Sequence, residues 1–392
     1  MKVLLIGNYE NNRQESMQRF VELLRHGLTE VGCDVQRIPP APVMGRLKPG
    51  ESGLGKWLGY IDRFVLFPPH LRRLVQWADV VHICDQANSV YVPWLKGKPN
   101  VVTCHDMLAI RSALGTIPQN PTRWSGRIFQ HWILRGLRQA QRVVCVSEQT
   151  RIELLSIANL PSERTAVTPN ALNYRYRPME RAEAEGHLRA LGLADKRPYL
   201  LHVGGNEWYK NRDGVVRIFG HLAKLPGYGQ HRLFLVGKPW TTRLRNCVAE
   251  MGLVGRIKEL VEVSNESLRA LYSMAEALIF PSLHEGFGWP IIEAQACGCL
   301  VITTDRAPMT EVGGNAAVYV DPTDEMAAAS TIAESFKGRH TFRKAGFLNA
   351  ARFSNEVMIA GYIEAYQTVL AAIAGEMQLH RVPDKEKDSL ST

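Results

Sequence analysis

The chain has 392 residues, 45% of them hydrophobic and 22% charged, fractions that exclude a largely disordered protein and suit two or three domains of ~100–200 residues. Lys and Arg outnumber Asp and Glu by 47 to 38. Residues 42–142 hold fourteen of the basic and five of the acidic residues, a surplus equal to the whole chain's +9. Such a patch suits anionic partners: a lipid headgroup, a membrane surface, a phosphate or a nucleic acid. The seven cysteines form no Cys-x-x-Cys pair and leave one over, so no disulfide framework is expected and a reducing, cytoplasmic setting is. No apolar run of the ~18 residues needed to span a membrane is read, and Met1–Gly7 reads as a buried strand rather than a signal-peptide core. Any membrane contact is expected to be peripheral, on the inner face of the cell membrane.

In chain order, short apolar runs alternate with longer segments at helical spacing. Val3–Ile6, Val80–Ile83, Val101–Cys104 and Val143–Val146 predict strands, with an amphipathic helix at Met17–Val31. After a charged stretch, Arg175–Arg197, with a short helix near Ala182–Leu191, the pattern restarts. Tyr199–Val203, Leu233–Val236, Ile257–Val261, Ala277–Phe280, Leu300–Thr303 and Ala317–Val320 predict a second set of strands. This is the signature of two α/β doubly wound parallel sheets. The expected organisation is a domain at 1–174, a linker at 175–197, a second domain at 198–350, a C-terminal helix at 351–375 crossing back to the first domain, and a polar, disordered tail at 376–392.

In such sheets ligands bind beyond the carboxyl ends of the strands. That rule singles out the turns at Gly7-Asn8-Tyr9, His105-Asp106, Gly204-Gly205-Asn206, Gly237-Lys238, Val261–Ser264 and Pro281–Pro290. The last is the most informative. Its Gly286 and Gly288 let backbone N–H groups approach an anion, and Pro290 suits the first turn of a helix whose N-terminus favours negative charge. Glu285 in the loop and Glu293 in the helix are carboxylates beside a phosphate site, where their natural partners are hydroxyls. Hydroxyls plus phosphate describe a sugar nucleotide.

Glu285 to Glu293 resembles the E-x7-E motif of the retaining glycosyltransferases of family four, which have the GT-B fold: two Rossmann-like domains facing across a cleft. Ala275–Ser282, Glu293–Gly298 and Val301–Val312 are similar to that family as well. The resemblance implies transfer of a sugar from a nucleotide-diphosphate sugar to an acceptor hydroxyl with retention, in polysaccharide or lipid-linked glycan synthesis. It implies that Glu285 contacts donor-sugar hydroxyls, that Glu293 contacts the ribose, and that the backbone of Gly286, Phe287 and Gly288 holds the diphosphate. Lys210, after Gly204-Gly205-Asn206, is expected to stabilise the departing diphosphate. Where the family carries a further arginine this chain has Gly205 or Tyr209, and Arg212 is the candidate second cation. His105 is expected to face the donor sugar, with Asp106 beside it and Gly7 near the diphosphate. The turn at Val263 is expected to hold the base by backbone atoms. Ser147-Glu148 and Asn170 lie where the family lines its cleft, though singly they serve equally as turn formers or caps.

Arg123–Arg142 and Lys56–Leu74 interleave arginines with Trp, Tyr and Phe. A membrane-facing helix and an ordinary helix with solvated arginines both fit that pattern. No Asp-x-Asp motif and no His/Cys spacing for a metal occurs, so no metal and no cofactor are expected. The expected partners are GDP-mannose or a UDP-sugar as donor, a glycan or lipid-linked acceptor and an anionic membrane surface, without nucleic acid. A non-catalytic nucleotide-sugar-binding relative and a basic nucleic-acid-binding protein are the alternatives. A dinucleotide oxidoreductase is disfavoured because Gly7–Asn12 lacks Gly-x-Gly-x-x-Gly.

Overall fold

The computed structural model describes residues 1–10, 15–48, 53–193, 195 and 197–379. The chain divides into two compact units. The first comprises Met1–Val146, Thr150–Thr168 and the chain from Met358 onward; the second comprises Pro169–Val357 with Ser147–Gln149.

The first unit is built on six parallel strands: β1 (Lys2–Ile6), β2 (Asp34–Ile38), β3 (Val80–Ile83), β4 (Asn100–Cys104), β5 (Arg142–Cys145) and β6 (Thr165–Val167). Their order is β2-β1-β3-β4-β5-β6. The central strands β1, β3, β4 and β5 hold the apolar runs, because strands covered on both faces are largely apolar, and a polar member such as His82 or Thr103 must find a buried partner. The two edge strands, β2 and β6, were not predicted. Asp34-Val35-Gln36-Arg37-Ile38 and Thr165-Ala166-Val167 are partly exposed and carry no unbroken apolar run. The helix Glu15–Glu30 turns Phe20, Leu24 and Leu28 inward, one face at spacing four.

The second unit repeats the plan with β7 (Tyr199–Gly204), β8 (Arg232–Gly237), β9 (Ile257–Leu260), β10 (Ala277–Phe280), β11 (Leu300–Thr304) and β12 (Val318–Val320), in the order β12-β11-β10-β7-β8-β9. All six agree with the predicted runs within a residue or so. The stretch expected as a linker, 175–197, lies in this unit. Arg269 donates to the carbonyls of Arg177 (2.9 Å) and Pro178 (3.1 Å), and the helix Arg181–Ala190 buries Ala184 and Leu188.

The last helix, Asn355–Leu379, runs past the predicted 351–375 and into the segment expected as a tail; 380–392 lie outside the described residues. By length and composition the stretch 325–374 contains an 18-residue window apolar enough to cross a membrane, with mean hydropathy 1.4. That corrects the expectation that no such run exists. Met358, Ile359, Tyr362, Ala365, Tyr366 and Val369 of this helix are buried. Tyr366 Oη meets His82 Nδ1 at 2.7 Å, His82 Nε2 meets Thr103 Oγ1 at 2.7 Å, and Thr103 Oγ1 meets Tyr362 Oη at 3.0 Å. The helix is thus tied to β3 and β4 by a buried polar chain whose members satisfy one another. All seven cysteines are free and buried.

Burial, with a smaller contribution from His105, pushes the His82 pKa down from 6.5 to about 3, and burial does the same to His202 in β7. Both are neutral in the fold, whereas an unfolded histidine protonates near 6.5. Between about pH 6.5 and 3 the unfolded chain therefore binds more protons, and stability falls as pH falls. At pH 5 the loss is on the order of 2 kcal/mol per histidine. Thermal unfolding from pH 7.5 to 5 should show a falling Tm, and His82→Gln should flatten part of that slope. A Tm independent of pH over this range would contradict the buried neutral state.

Candidate functional site

In the second unit two loops leave neighbouring strands at their carboxyl ends. One follows β7: Gly204-Gly205-Asn206, a turn of 3-10 helix at Trp208–Lys210, Asn211 in the left-handed region (φ 54°), then the helix Arg212–Leu222. The other follows β10: Pro281–Gly288, then the helix Trp289–Ala296 with Pro290 in its first turn, as predicted. Gly288 has φ 104°, a conformation that favours glycine. Strands β7 and β10 are paired, so the loops emerge side by side. Leu283 N–H donates to the Tyr209 carbonyl (2.7 Å) and Asn211 Nδ2 to the Pro281 carbonyl (3.1 Å).

The loops meet chemically at Lys210 and Glu285. Lys210 Nζ donates to both carboxylate oxygens, at 2.7 and 2.9 Å, with the side chains only 19% and 8% exposed. The ammonium also lies 5.5 Å from the Phe280 ring centroid. Two residues 75 apart in sequence, both named as candidates, are thereby brought into one ion pair. Around them stand Gly286, whose carbonyl accepts from Ser147 Oγ (2.8 Å), and buried Phe287, packed edge-on to Phe353.

Glu293 is buried, and its setting could not be read from sequence. Its Oε1 accepts from Asn173 Nδ2 (3.0 Å) and its Oε2 from the Tyr272 hydroxyl (2.9 Å). Burial foremost, and then this carboxylate, hold the Tyr272 hydroxyl protonated far above its usual range, so it is a donor. Asn173 and Tyr272 were not predicted; neither belongs to a local motif.

Arg212, the candidate second cation, is buried, with Nη1 donating to Asn206 Oδ1 (2.6 Å) and to the Lys238 carbonyl (2.9 Å), while Nε and Nη2 have no hydrogen-bond partner among the described residues. Gly204 and Gly205 line the β7 turn. At Gly237, φ 142°, a Cβ would collide with the Gly204 carbonyl, so the ends of β7 and β8 approach only because this residue has no side chain. Beneath them His202 Nδ1 donates to the Ile279 carbonyl (2.9 Å), and its buried Nε2 has no hydrogen-bond partner. Val263 sits half-buried just before the cap of the helix Asn265–Met274, where Ser264 Oγ accepts from Ser267 N–H. Asn170 is buried with its Oδ1 unpartnered.

In the first unit, Gly7 follows β1 and its carbonyl accepts from Asn88 Nδ2 (3.3 Å); Asn8 Nδ2 donates to Asp85 (2.6 Å). His105 follows β4. Its N–H donates to Gln86 Oε1 (2.8 Å), its ring packs edge-on to Phe20, and its Nε2 lies 2.9 Å from the Cys84 carbonyl. A carbonyl only accepts, so Nε2 carries a proton and donates it. Burial raises the Asp106 pKa, and that carboxylate accepts from Leu108 N–H.

Among the described residues one group has metal-ligand proximity, Glu183, His187 and Glu266. The sequence spacing had not shown it. Glu266 already accepts from Tyr174 (2.5 Å) and Arg269 (3.0 Å), the mark of an ion-pair network.

Residues 184–370 match the family described as glycosyl transferases group 1, and residues 17–175 match glycosyltransferase family 4. A D-inositol 3-phosphate glycosyltransferase of Mycobacterium sp. (strain KMS) is 30% identical over 374 residues, 88% of this chain and 80% of that one. O-antigen chain mannosyltransferase B of Escherichia coli is 29% identical over 272 residues, 68% of this chain and 70% of that one. The solved sucrose-phosphate synthase of Thermosynechococcus elongatus superimposes with a TM-score of 0.72 over 95% of this chain and all of that one, at 22% identity. The chain belongs to the family-four glycosyltransferases. It has their GT-B fold and is a glycosyltransferase of glycan biosynthesis that uses a nucleotide sugar.

Glu293→Gln keeps one acceptor oxygen where two donors converge, leaving Asn173 or Tyr272 facing an amide N–H. It should destabilise the protein by about 1–3 kcal/mol, measured by urea unfolding. An unchanged midpoint would show that these bonds contribute nothing to the fold.

Proposed function

We propose that the second unit binds a nucleotide-diphosphate hexose at the loops 204–212 and 281–288 and transfers the sugar to an acceptor hydroxyl with retention, without a metal ion. The observation that carries this reading is the Lys210–Glu285 pair, in which a fixed cation and a fixed carboxylate stand together at two strand ends. A lysine ammonium has three N–H donors, and two are directed at Glu285. The third is left for a phosphate oxygen. Glu285 then accepts from sugar hydroxyls, the amides of Gly286, Phe287 and Gly288 face the diphosphate, and Glu293 accepts from the ribose. Arg212, whose Nε and Nη2 have no partner among the described residues, is the second cation. In the first unit the candidate for sugar contact is His105, whose ring is oriented by the Cys84 carbonyl.

The reaction follows from where charge develops. As the bond from the anomeric carbon to the leaving phosphate lengthens, negative charge accumulates on the diphosphate, and Lys210 stabilises it more than it stabilises the intact donor. The acceptor hydroxyl attacks the face the phosphate is leaving, and its proton passes to a leaving-phosphate oxygen. Fixed cations and loop amides supply the charge that a metal ion would otherwise supply. The relatives' names, a mannosyltransferase among them, support hexosyl transfer; the proposed carrier is GDP or UDP and the proposed acceptor a glycan or a lipid-linked glycan.

Lys210→Ala should lower kcat about 10²–10³-fold with donor saturating, and Lys210→Arg should restore part of it. Unchanged kcat would remove Lys210 from the mechanism. Turnover in EDTA should equal turnover with added Mg²⁺ or Mn²⁺; complete loss in EDTA, restored by one metal, would overturn metal independence. Proton NMR of the first product should show the donor's anomeric configuration, and the opposite anomer would overturn retention.

A further inference from the structure

Two helices of the first unit, Gly53–Ile61 and Trp124–Gln139, hold large apolar side chains in water. Trp57 is 65% exposed, Trp124 75% and Trp132 55%, with Leu54, Val65 and Ile128 exposed as well. The rings form an unbroken series between the helices: Trp57 to Tyr60 at 5.7 Å, Tyr60 to Phe64 at 5.6 Å, Phe64 to Trp132 at 6.4 Å. On the second helix Trp124, Ile128 and Trp132 recur every four residues and share one side. That helix already buries Ile133, Leu134 and Leu137, so the exposed side is a second apolar stripe and not the core-facing one. Its position is fixed: Ser89 Oγ donates to the Ile133 carbonyl (2.7 Å), and a Cβ at Gly136 would collide with the Ser89 carbonyl.

Charge on these segments has one sign. Lys56, Arg72, Arg73, Arg123, Arg127 and Arg135 are exposed. Between 53 and 75 and between 123 and 139 the one carboxylate is Asp62. It is buried, accepting from Tyr9 Oη and from the N–H groups of Val43, Met44 and Gly45. Beside the ring series lies a hollow of about 380 Å³ lined by Arg72, Val90, Pro93, Trp94, Trp132 and Arg135. The Arg72 guanidinium lies 4.5 Å from the Trp94 ring centroid. Among the described residues neither Arg72 nor Arg135 pairs with a carboxylate. Arg138, by contrast, is tied to the carbonyls of Ala158 and Ile157 and takes no part.

We propose that this face docks on an anionic lipid bilayer, its indoles at the level of the headgroups and the hollow between Arg72 and Arg135 receiving a headgroup phosphate. Tryptophan favours that boundary, and basic residues around it are drawn to anionic lipid. A purely charged partner would leave the indoles in water. The face belongs to the first unit and the nucleotide-sugar loops to the second, and its readout does not use catalysis.

The test is co-sedimentation of the full chain with vesicles of phosphatidylcholine alone or mixed with phosphatidylglycerol. Binding is expected to the mixed vesicles only, and to weaken as added salt shortens the reach of each charge to about 8 Å at 0.15 M. Arg72→Gln and Arg135→Gln should each lower the affinity about fivefold. Replacing Trp57, Trp124 and Trp132 by Ser should lower it about tenfold or more, with circular dichroism confirming the fold. Independently of any variant, brominated lipid should quench wild-type tryptophan fluorescence. No sedimentation at low salt, equal binding to neutral vesicles, or binding indifferent to the Trp substitutions would overturn the proposal. So would capture by an immobilised acidic polypeptide but not by vesicles, which would assign the face to a protein partner.

Discussion

An ammonium and a carboxylate held 2.7 Å apart, largely out of water, fix the geometry of the second unit's ligand-facing end. Removing both charges from water is unfavourable, and their attraction offsets it only while the pair stays aligned. The alignment comes from the sheet. Lys210 follows β7 and Glu285 follows β10, strands that are bonded to each other, so both loops start from one rigid edge. The backbone bond from Leu283 to Tyr209 and the Asn211 bond to the Pro281 carbonyl then lock one loop to the other.

Close backbone approach is the second constraint at that end. Gly237 brings the end of β8 against the Gly204 carbonyl, and below this contact lie His202, neutral through burial, and the Phe280 ring that also faces Lys210. His202 and Phe280 put uncharged groups beneath the loops that carry Lys210 and Arg212. Arg212 is oriented by Asn206 and the Lys238 carbonyl, so its free N–H groups have a fixed direction. Fixed donors of this kind stabilise developing charge without reorganising.

In the first unit the comparable device is structural. Tyr362 and Tyr366 of the last helix enter the core with their hydroxyls, and His82 and Thr103 satisfy them. A buried hydroxyl without such a partner would be strongly unfavourable, so the network fixes where along its length the helix docks. The apolar composition that would otherwise suit a membrane span is partly used in packing. Exposed apolar side chains also lie on the helices carrying Trp57, Trp124 and Trp132.

The sequence by itself determined the class of fold, the family and the main chemical groups. Buried parallel strands are largely apolar runs, and Glu285, Glu293 and Lys210 sit at fixed spacing after such runs. Edge strands escaped because Asp34–Ile38 and Thr165–Val167 need no continuous apolarity. Only the tertiary structure decided the rest. It joined Lys210 to Glu285 across 75 residues, surrounded Glu293 with Asn173 and Tyr272, and buried Arg212 against Asn206 and the Lys238 carbonyl. It also decided which arginines of the basic helix are spoken for, tying Arg138 to carbonyls and leaving Arg135 in the hollow. Such pairings depend on which strands are neighbours and which helix face turns inward. Local spacing encodes neither, because sheet order and packing are set by contacts between residues far apart along the chain.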